Sequence, residues 1–173
     1  EAIKLIPENS IDCIYTDIPY LYVKGGKGHS ELGDRAAKKR RELNEIQDGI
    51  DYSILDDSSR EMKQINIFIW CSRLQLLELM KFFIDKQGCL FELLTWNKTN
   101  PTPTTNNAWL PDIEYCLYFR EKGIHLNDGY ELKSKWFVSG ANTADKEKFN
   151  HPTIKPLSLV TRHLKHACGG GGG

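Results

Sequence analysis

The chain is predicted to be an α/β protein, a sheet of about four strands with helices packed on it. Three observations predict this. First, short runs rich in β-branched and aromatic residues recur at 11–16, 65–71, 89–96 and 113–119, lengths that suit buried strands. Second, Leu76, Leu77, Met80, Phe83 and Ile84 repeat at helical spacing between the second and third runs, which predicts an amphipathic helix over 74–86. Third, strand, helix and strand in succession are the pattern of a parallel sheet with right-handed crossovers. The stretch between the third and fourth runs is too long for a tight hairpin, yet it can join antiparallel neighbours.

Each element carries its own boundary signals. Residues 1–10 hold Ile3, Leu5 and Ile6, then Pro7-Glu8-Asn9-Ser10, the tail of a helix and a turn into the first strand. Asp34 can cap a polar helix running to about Gln47. Ser53 can start another, carrying Ile54, Leu55 and Met62 towards a core. Ser72 with Gln75 forms a capping box ahead of the 74–86 helix, and Gly88 ends it. The fourth strand begins after Pro111-Asp112. Near the end, Leu157, Val160, Leu164 and Ala167 line one face of a helix that Pro156 can open.

Bulk properties narrow the function. With 173 residues, 40% of them hydrophobic and 27% charged, the chain can bury the core of one globular domain. The formal net charge is zero, so any nucleic-acid surface must be a local patch. The five cysteines, at 13, 71, 89, 116 and 168, lack paired spacing. That suits a reducing, cytoplasmic compartment. No apolar run approaches membrane-spanning length. His163, His166 and Cys168 fit no standard zinc spacing and read as a solvated helix face, with no metal expected. Gly25-Gly26-Lys27-Gly28 lacks the spacing of a phosphate loop, which excludes that mode of nucleotide hydrolysis. No dinucleotide-binding Gly-x-Gly-x-x-Gly is present either.

The chemistry concentrates at the end of the first strand. Asp17-Ile18-Pro19-Tyr20 follows the apolar run, and a parallel strand presents its functional groups at its carboxyl end. Pro19 fixes its own φ and holds Ile18 extended. Two carbonyls, a carboxylate and an aromatic ring can together hold a planar ring with an exocyclic amine. The same residues also describe a plain strand end with Asp17 capping a helix. A second stretch, Trp96-Asn97-Lys98-Thr99-Asn100-Pro101-Thr102-Pro103 followed by Trp109 to Tyr115, is a long polar loop with indoles and amides suited to bases or phosphates. A third is His151-Pro152-Thr153-Ile154-Lys155-Pro156-Leu157, a loop stiffened by two prolines.

Asp17-Ile18-Pro19-Tyr20 resembles the Asp-Pro-Pro-Tyr signature of DNA amino-methyltransferases, with Ile18 in place of the first proline. The second stretch is similar to their Trp-x-Lys-x-Asn-Pro and Glu-Tyr segments, and the third to their His-Pro-Thr-x-Lys-Pro motif. The order resembles the β class, of phage and bacterial type, and covers nearly all of residues 1–168. The resemblance implies the catalytic half of a doubly wound, Rossmann-like sheet and methyl transfer from S-adenosylmethionine to adenine N6 or cytosine N4. An Asp at the head of the motif leans to adenine. The alternative is a catalytically inactive nucleic-acid-binding fragment.

The resemblance also implies roles. Asp17, Ile18, Pro19 and Tyr20 are the expected catalytic residues, and Ile18 retains the carbonyl that its proline counterpart supplies. His151, Thr153, Lys155 and Pro156 are expected beside the cofactor. Trp96, Lys98 and Asn100 are expected at the DNA, in the loop that supports the target-base pocket. Residues 121–150 are expected as a target-recognition excursion between a catalytic sheet region, 1–120, and a cofactor-side loop and helix, 151–168. Expected partners are double-stranded DNA with its target base flipped out and the other half of the methyltransferase domain. A second copy in a homodimer is a further option. The Phe-x-Gly-x-Gly cofactor loop that comes next in the β class is not in this sequence. Glycines 169–173 read as a linker or placeholder tail. The first strand is therefore expected at a sheet edge where the other half docks, and the fragment is expected to be inactive alone.

Lys38, Lys39, Arg40 and Arg41 are the best candidate for a phosphate contact, with a solvated helix face the equal alternative. Changing all four to Ala is expected to weaken DNA binding and flatten the dependence of log Kd on log salt. A slope unchanged from wild type would place the phosphate contacts elsewhere.

Overall fold

The computed structural model describes residues 2–21, 50–104, 107–140 and 154–168. Its strands are β1 (Ile14–Asp17), β2 (Asn66–Cys71), β3 (Leu90–Lys98), β4 (Ile113–Arg120) and β5 (Trp136–Ser139). They form one five-stranded sheet in the order β1-β2-β4-β3-β5. Its helices are α1 (Ile54–Glu61), α2 (Leu76–Met80) and α3 (Leu157–Ala167). The α/β class expected from the sequence is the one found.

The sheet is mixed. β1 pairs parallel with β2, and β3 with β5, while β4 runs antiparallel to both of its neighbours. The crossover from β2 through α2 skips one position, so β2 and β3 run parallel as the strand–helix–strand pattern requires. The chain then turns back through 99–112 and fills the gap with β4. β5 lies within the stretch expected to leave the sheet. It is four residues long and its side chains are only partly covered, so it offers none of the apolar density that marks the central strands.

Strand alternation distributes the core. All six residues of β2 are buried. Ile67, Ile69 and Cys71 pack with Leu55 of α1 and with Leu79 and Phe83. Phe68 and Trp70 point the other way, into a second cluster with Leu159 and Ala167 of α3. The 74–86 helix is narrower in its first turns and widens into π turns over Lys81–Lys86. Gly88, at φ +70°, closes it. Of the expected stripe, Leu76, Met80, Phe83 and Ile84 meet the core. Leu77 is instead 60% exposed, and Leu79 takes the buried place. Leu77 and Leu79 both precede the π turns, and Leu79, three residues after Leu76 and four before Phe83, shares their helix face while Leu77 stands to its side.

α3 is also rotated from its expected face. Its buried row is Leu159, His163 and Ala167, whereas Leu157 is 74% exposed in the first turn. His163 is therefore part of the core, contrary to the solvated face expected for it. Its ring stacks on Phe68, with centroids 5.3 Å apart and planes 5° from parallel. The Trp70 indole N–H donates to the Tyr15 hydroxyl at 2.8 Å, and that hydroxyl lies 3.3 Å from His163 Nδ1. An indole can only donate, so the hydroxyl accepts from Trp70 and donates to a neutral His163. Buried Asn66 ties three segments together. Its amide donates to the carbonyls of Asp12 and Ala167, and its oxygen accepts from the Tyr118 hydroxyl at 3.0 Å.

β1 forms one edge of the sheet. Among the described residues, no helix is long and apolar enough to cross a membrane, and no cluster of three or more His, Cys, Asp or Glu could hold a metal ion. Lys38, Lys39, Arg40, Arg41, His151 and Thr153 lie outside the described residues.

Burial, with the nearby charges of Arg162 and His166, pushes His163 down from 6.5 to about 4. Between those values the unfolded chain holds the extra proton and the folded one does not, so stability falls as pH drops from about 6.5 to about 4. This contribution amounts to about 3 kcal/mol when complete. NMR titration of the ring should show a midpoint near 4. A midpoint near 6.5 would mean that the ring is solvated.

Candidate active site

The parallel strands all end at one rim, and the β3–β4 loop and the segment before α3 meet there. Register places the key side chains on a single face. Asp17 is opposite Trp70, Trp70 opposite Cys116, and Trp96 opposite Glu114. α3 covers that same face, and Lys155, two residues before its first turn, reaches down onto it.

The result is a compact charge cluster. The Lys155 ammonium lies 2.7 Å from Asp17 Oδ2 and 2.9 Å from Glu114 Oε2. Lys98 pairs with the other oxygen of Glu114. The Tyr20 hydroxyl donates to Glu114 Oε2 and accepts from Lys155 Nζ, both at 3.3 Å. The ammonium also sits over the Trp70 ring, 5.0 Å from its centroid, and over Tyr20 at 5.5 Å. The Lys155 side chain is only 9% exposed, whereas that of Asp17 is 40% exposed. The lysine is thus a buried support, and the aspartate faces the crevice.

The electrostatics follow from this packing. Burial alone would raise the Glu114 carboxyl, but Lys155 and Lys98 outweigh it and hold it below the usual range. Burial alone would lower Lys155, but Glu114 and Asp17 outweigh it and hold the ammonium charged. Glu114 and Lys155 therefore stay ionised as a largely desolvated pair, a state that needs the partners on either side of it.

A second set of contacts shapes the backbone after Asp17. Ile18 is buried and its N–H donates to the Trp70 carbonyl at 3.2 Å. Gln75 is fully buried. Its amide N–H donates to the Pro19 carbonyl at 2.9 Å, and its oxygen accepts from the N–H groups of Ser72 and Leu21 at 3.0 and 3.3 Å. The expected capping box is therefore half-made, and Ser72 Oγ is buried without a partner among the described residues. No hydrogen bond to the Ile18 carbonyl forms among the described residues. Pro19's carbonyl is engaged, and Ile18's is left as the acceptor beside Asp17.

This geometry can be set against known proteins. No family model matches the chain. It is 26% identical over 185 residues to the type II methyltransferase M2.DpnII of Streptococcus pneumoniae, covering 92% of this chain and 66% of that protein. It is 26% identical to M.HinfI of Haemophilus influenzae, covering 92% of this chain and 51% of that protein. The chain is thus similar in sequence to type II DNA methyltransferases over 92% of its length. In fold it is similar to the crystal structure of the M1.HpyAVI–SAM complex, with TM-score 0.60 at 16% identity over 95% of this chain and 67% of that one. It is equally similar to the PvuII cytosine-N4-specific DNA methyltransferase, with TM-score 0.60 at 13% identity over 95% of this chain and 66% of that one.

Within this methyltransferase fold, some expected site residues come together and others do not. Asp17, Ile18, Pro19, Tyr20, Lys98 and Lys155 converge on the rim. Lys155 was expected at the cofactor, but it is engaged by the carboxylates of Asp17 and Glu114. Pro156 stands at the start of α3, where its carbonyl accepts from the Leu159 N–H. Trp96 was expected at DNA. It is only 3% exposed, and its indole N–H donates to Ser139 Oγ at 2.9 Å. Its flat face supports Lys98, which sits 5.0 Å above it. The indole that the loop turns outward is Trp109, 97% exposed. Asn100 is exposed beyond the end of β3.

Three members of the site were not singled out from the sequence: Glu114, Gln75 and Trp70. Glu114, in the Glu-Tyr segment, is a polar residue inside an apolar strand, and that is its signal. Gln75 looked like a helix cap. Nothing distinguished Trp70 from its apolar neighbours.

Replacing Gln75 with Ala would leave the Pro19 carbonyl and two N–H groups buried without partners. It is expected to lower unfolding stability by about 2–4 kcal/mol, read from denaturant midpoints at constant slope. A loss below about 0.5 kcal/mol would show that the loop is not held by this side chain.

Proposed function

We propose that the protein transfers a methyl group from S-adenosylmethionine to an exocyclic amino nitrogen of a base in DNA, with adenine N6 as the target. The observation that carries this reading is the placement of Asp17, with its exposed carboxylate, beside the Ile18 carbonyl, which accepts no hydrogen bond among the described residues, in a chain similar to type II methyltransferases. The chain spans 66% of M2.DpnII and 51% of M.HinfI, so the activity is proposed for the whole protein, with the other half of the methyltransferase domain included. Cytosine N4 is the second reading. It uses the same acceptor geometry, and the fold likeness extends to a cytosine-N4-specific enzyme.

The target base must leave the duplex stack to reach the rim. Asp17 then accepts one amine hydrogen on the carboxylate oxygen that Lys155 does not hold, and the Ile18 carbonyl accepts the other. Two fixed acceptors point the nitrogen lone pair away from the sheet. Tyr20, pinned through its hydroxyl, offers its ring to the base. The advantage comes from positioning and preorganised dipoles rather than from a strong base. The cofactor supplies an electrophilic methyl carbon on a sulfonium, and the partly exposed Asp17 carboxylate at the rim suits that charge. Lys155 and Pro156, with His151 and Thr153, remain the proposed cofactor-side group. Lys98, Asn100 and the Lys38–Arg41 run remain the proposed DNA contacts, and 121–150 the proposed recognition region. Free thiols at all five cysteines fit the cytoplasm, the compartment proposed here.

Changing Asp17 to Ala is expected to lower the single-turnover methylation rate by on the order of 100- to 1000-fold, as for loss of one oriented hydrogen-bond partner, while cofactor affinity barely moves. Mass spectrometry of the DNA product identifies the base. Methyl on cytosine C5, or an unaltered rate, would overturn the reading. DNA binding without any methyl transfer would favour an inactive binding module.

A further inference from the structure

We propose that Glu114 is the charge-balancing residue of the methyl-transfer site, needed to keep Asp17 electrostatically negative towards the reacting amine. The inference rests on the reaction proposed above and goes beyond it by assigning a role to a residue that does not touch the base.

The argument is one of charge. Lys155 lies 2.7 Å from Asp17 Oδ2 and 2.9 Å from Glu114 Oε2, and Lys98 pairs with the remaining oxygen of Glu114. Among the described residues the cluster holds two positive and two negative groups, which balance. Its three inner side chains, Lys98, Glu114 and Lys155, are 20%, 14% and 9% exposed, so solvent screens them poorly. During transfer the amine nitrogen forms a bond to the methyl carbon as the carbon–sulfur bond breaks. Positive charge moves from the sulfonium to the nitrogen, the cofactor leaves as a neutral thioether, and one N–H proton then passes to the Asp17 carboxylate. A carboxylate beside that nitrogen favours the change. An ammonium directly behind the same carboxylate cancels much of the benefit. Glu114 restores it, because both lysines are matched by Glu114 and Asp17 together rather than by Asp17 alone.

A scaffold role and a charge role predict different things. If Glu114 only braces the site, removing a second partner makes matters worse. If it balances charge, removing one cation along with it repairs the defect. In the full-length protein, Glu114→Gln should lower the single-turnover rate at saturating DNA and cofactor roughly 10- to 100-fold, the effect of one uncompensated charge a few Å from the reacting atom. The Kd for DNA should change less than about threefold, well under a 1.4 kcal/mol step. Adding Lys98→Met to Glu114→Gln, with DNA raised to saturation for the double variant because Lys98 is also a proposed DNA contact, should recover most of the lost rate, and Glu114→Asp should retain more activity than Glu114→Gln. Circular dichroism and thermal unfolding establish that each variant compared is folded. If Glu114→Gln is too unstable, the comparison of Glu114→Asp with the double variant carries the test. A double variant no faster than Glu114→Gln, or a Glu114→Gln rate equal to wild type, overturns the charge-balance role. A wild type that transfers no methyl to DNA overturns the proposed function instead.

Discussion

The ion pairing of Lys155 with Asp17 and Glu114 is the constraint on which the rim depends. These residues are 138 and 41 positions from the lysine in the chain, and only the folded sheet brings them together. Burying a lysine is costly unless its charge is met by good geometry on several sides. Here two carboxylates, a phenol and two aromatic faces meet it. Any displacement of β1, β4 or the segment before α3 would strand a charge in a desolvated place. The pairing therefore fixes the relative position of three segments, and with it the direction of the Asp17 carboxylate.

Two buried amides extend the same logic to the backbone. Asn66 joins the lead-in to β1, the end of α3 and the Tyr118 hydroxyl of β4. Gln75 joins the turn after Asp17 to the start of α2. Each uses a side chain with both donors and an acceptor, so one residue can satisfy groups of opposite kind. Buried polar groups of this sort are tolerated because each is satisfied. They specify which backbone carbonyls are engaged, and at the rim the engaged one is that of Pro19.

The two aromatic faces of the sheet serve different ends. The α1–α2 side is an apolar core of ordinary type. The α3 side mixes rings with polar atoms: Tyr15, Trp70 and His163 in one hydrogen-bonded chain, and Trp96 under Lys98. The indole N–H groups of Trp70 and Trp96 find partners inside the protein, which explains why Trp96 serves as a buried platform under Lys98.

The sequence by itself determined the α/β class, the first four strands to within a few residues, the crossover helix and the three motif stretches in their order. These are local properties: β-branched runs, helical spacing, and prolines at fixed offsets. It also marked Asp17 as the residue at a strand's carboxyl end. Tertiary structure alone decided the antiparallel insertion of β4, because pairing partners are not encoded in a strand's own residues. It decided the face of α3, because a histidine counts as polar until a stacked ring and a hydroxyl make its burial acceptable. It decided that Lys155 meets carboxylates, that Trp96 is buried while Trp109 is exposed, and that Glu114 and Gln75 belong to the site. Those assignments depend on contacts between residues far apart in the chain, where burial and charge are properties of the assembled sheet.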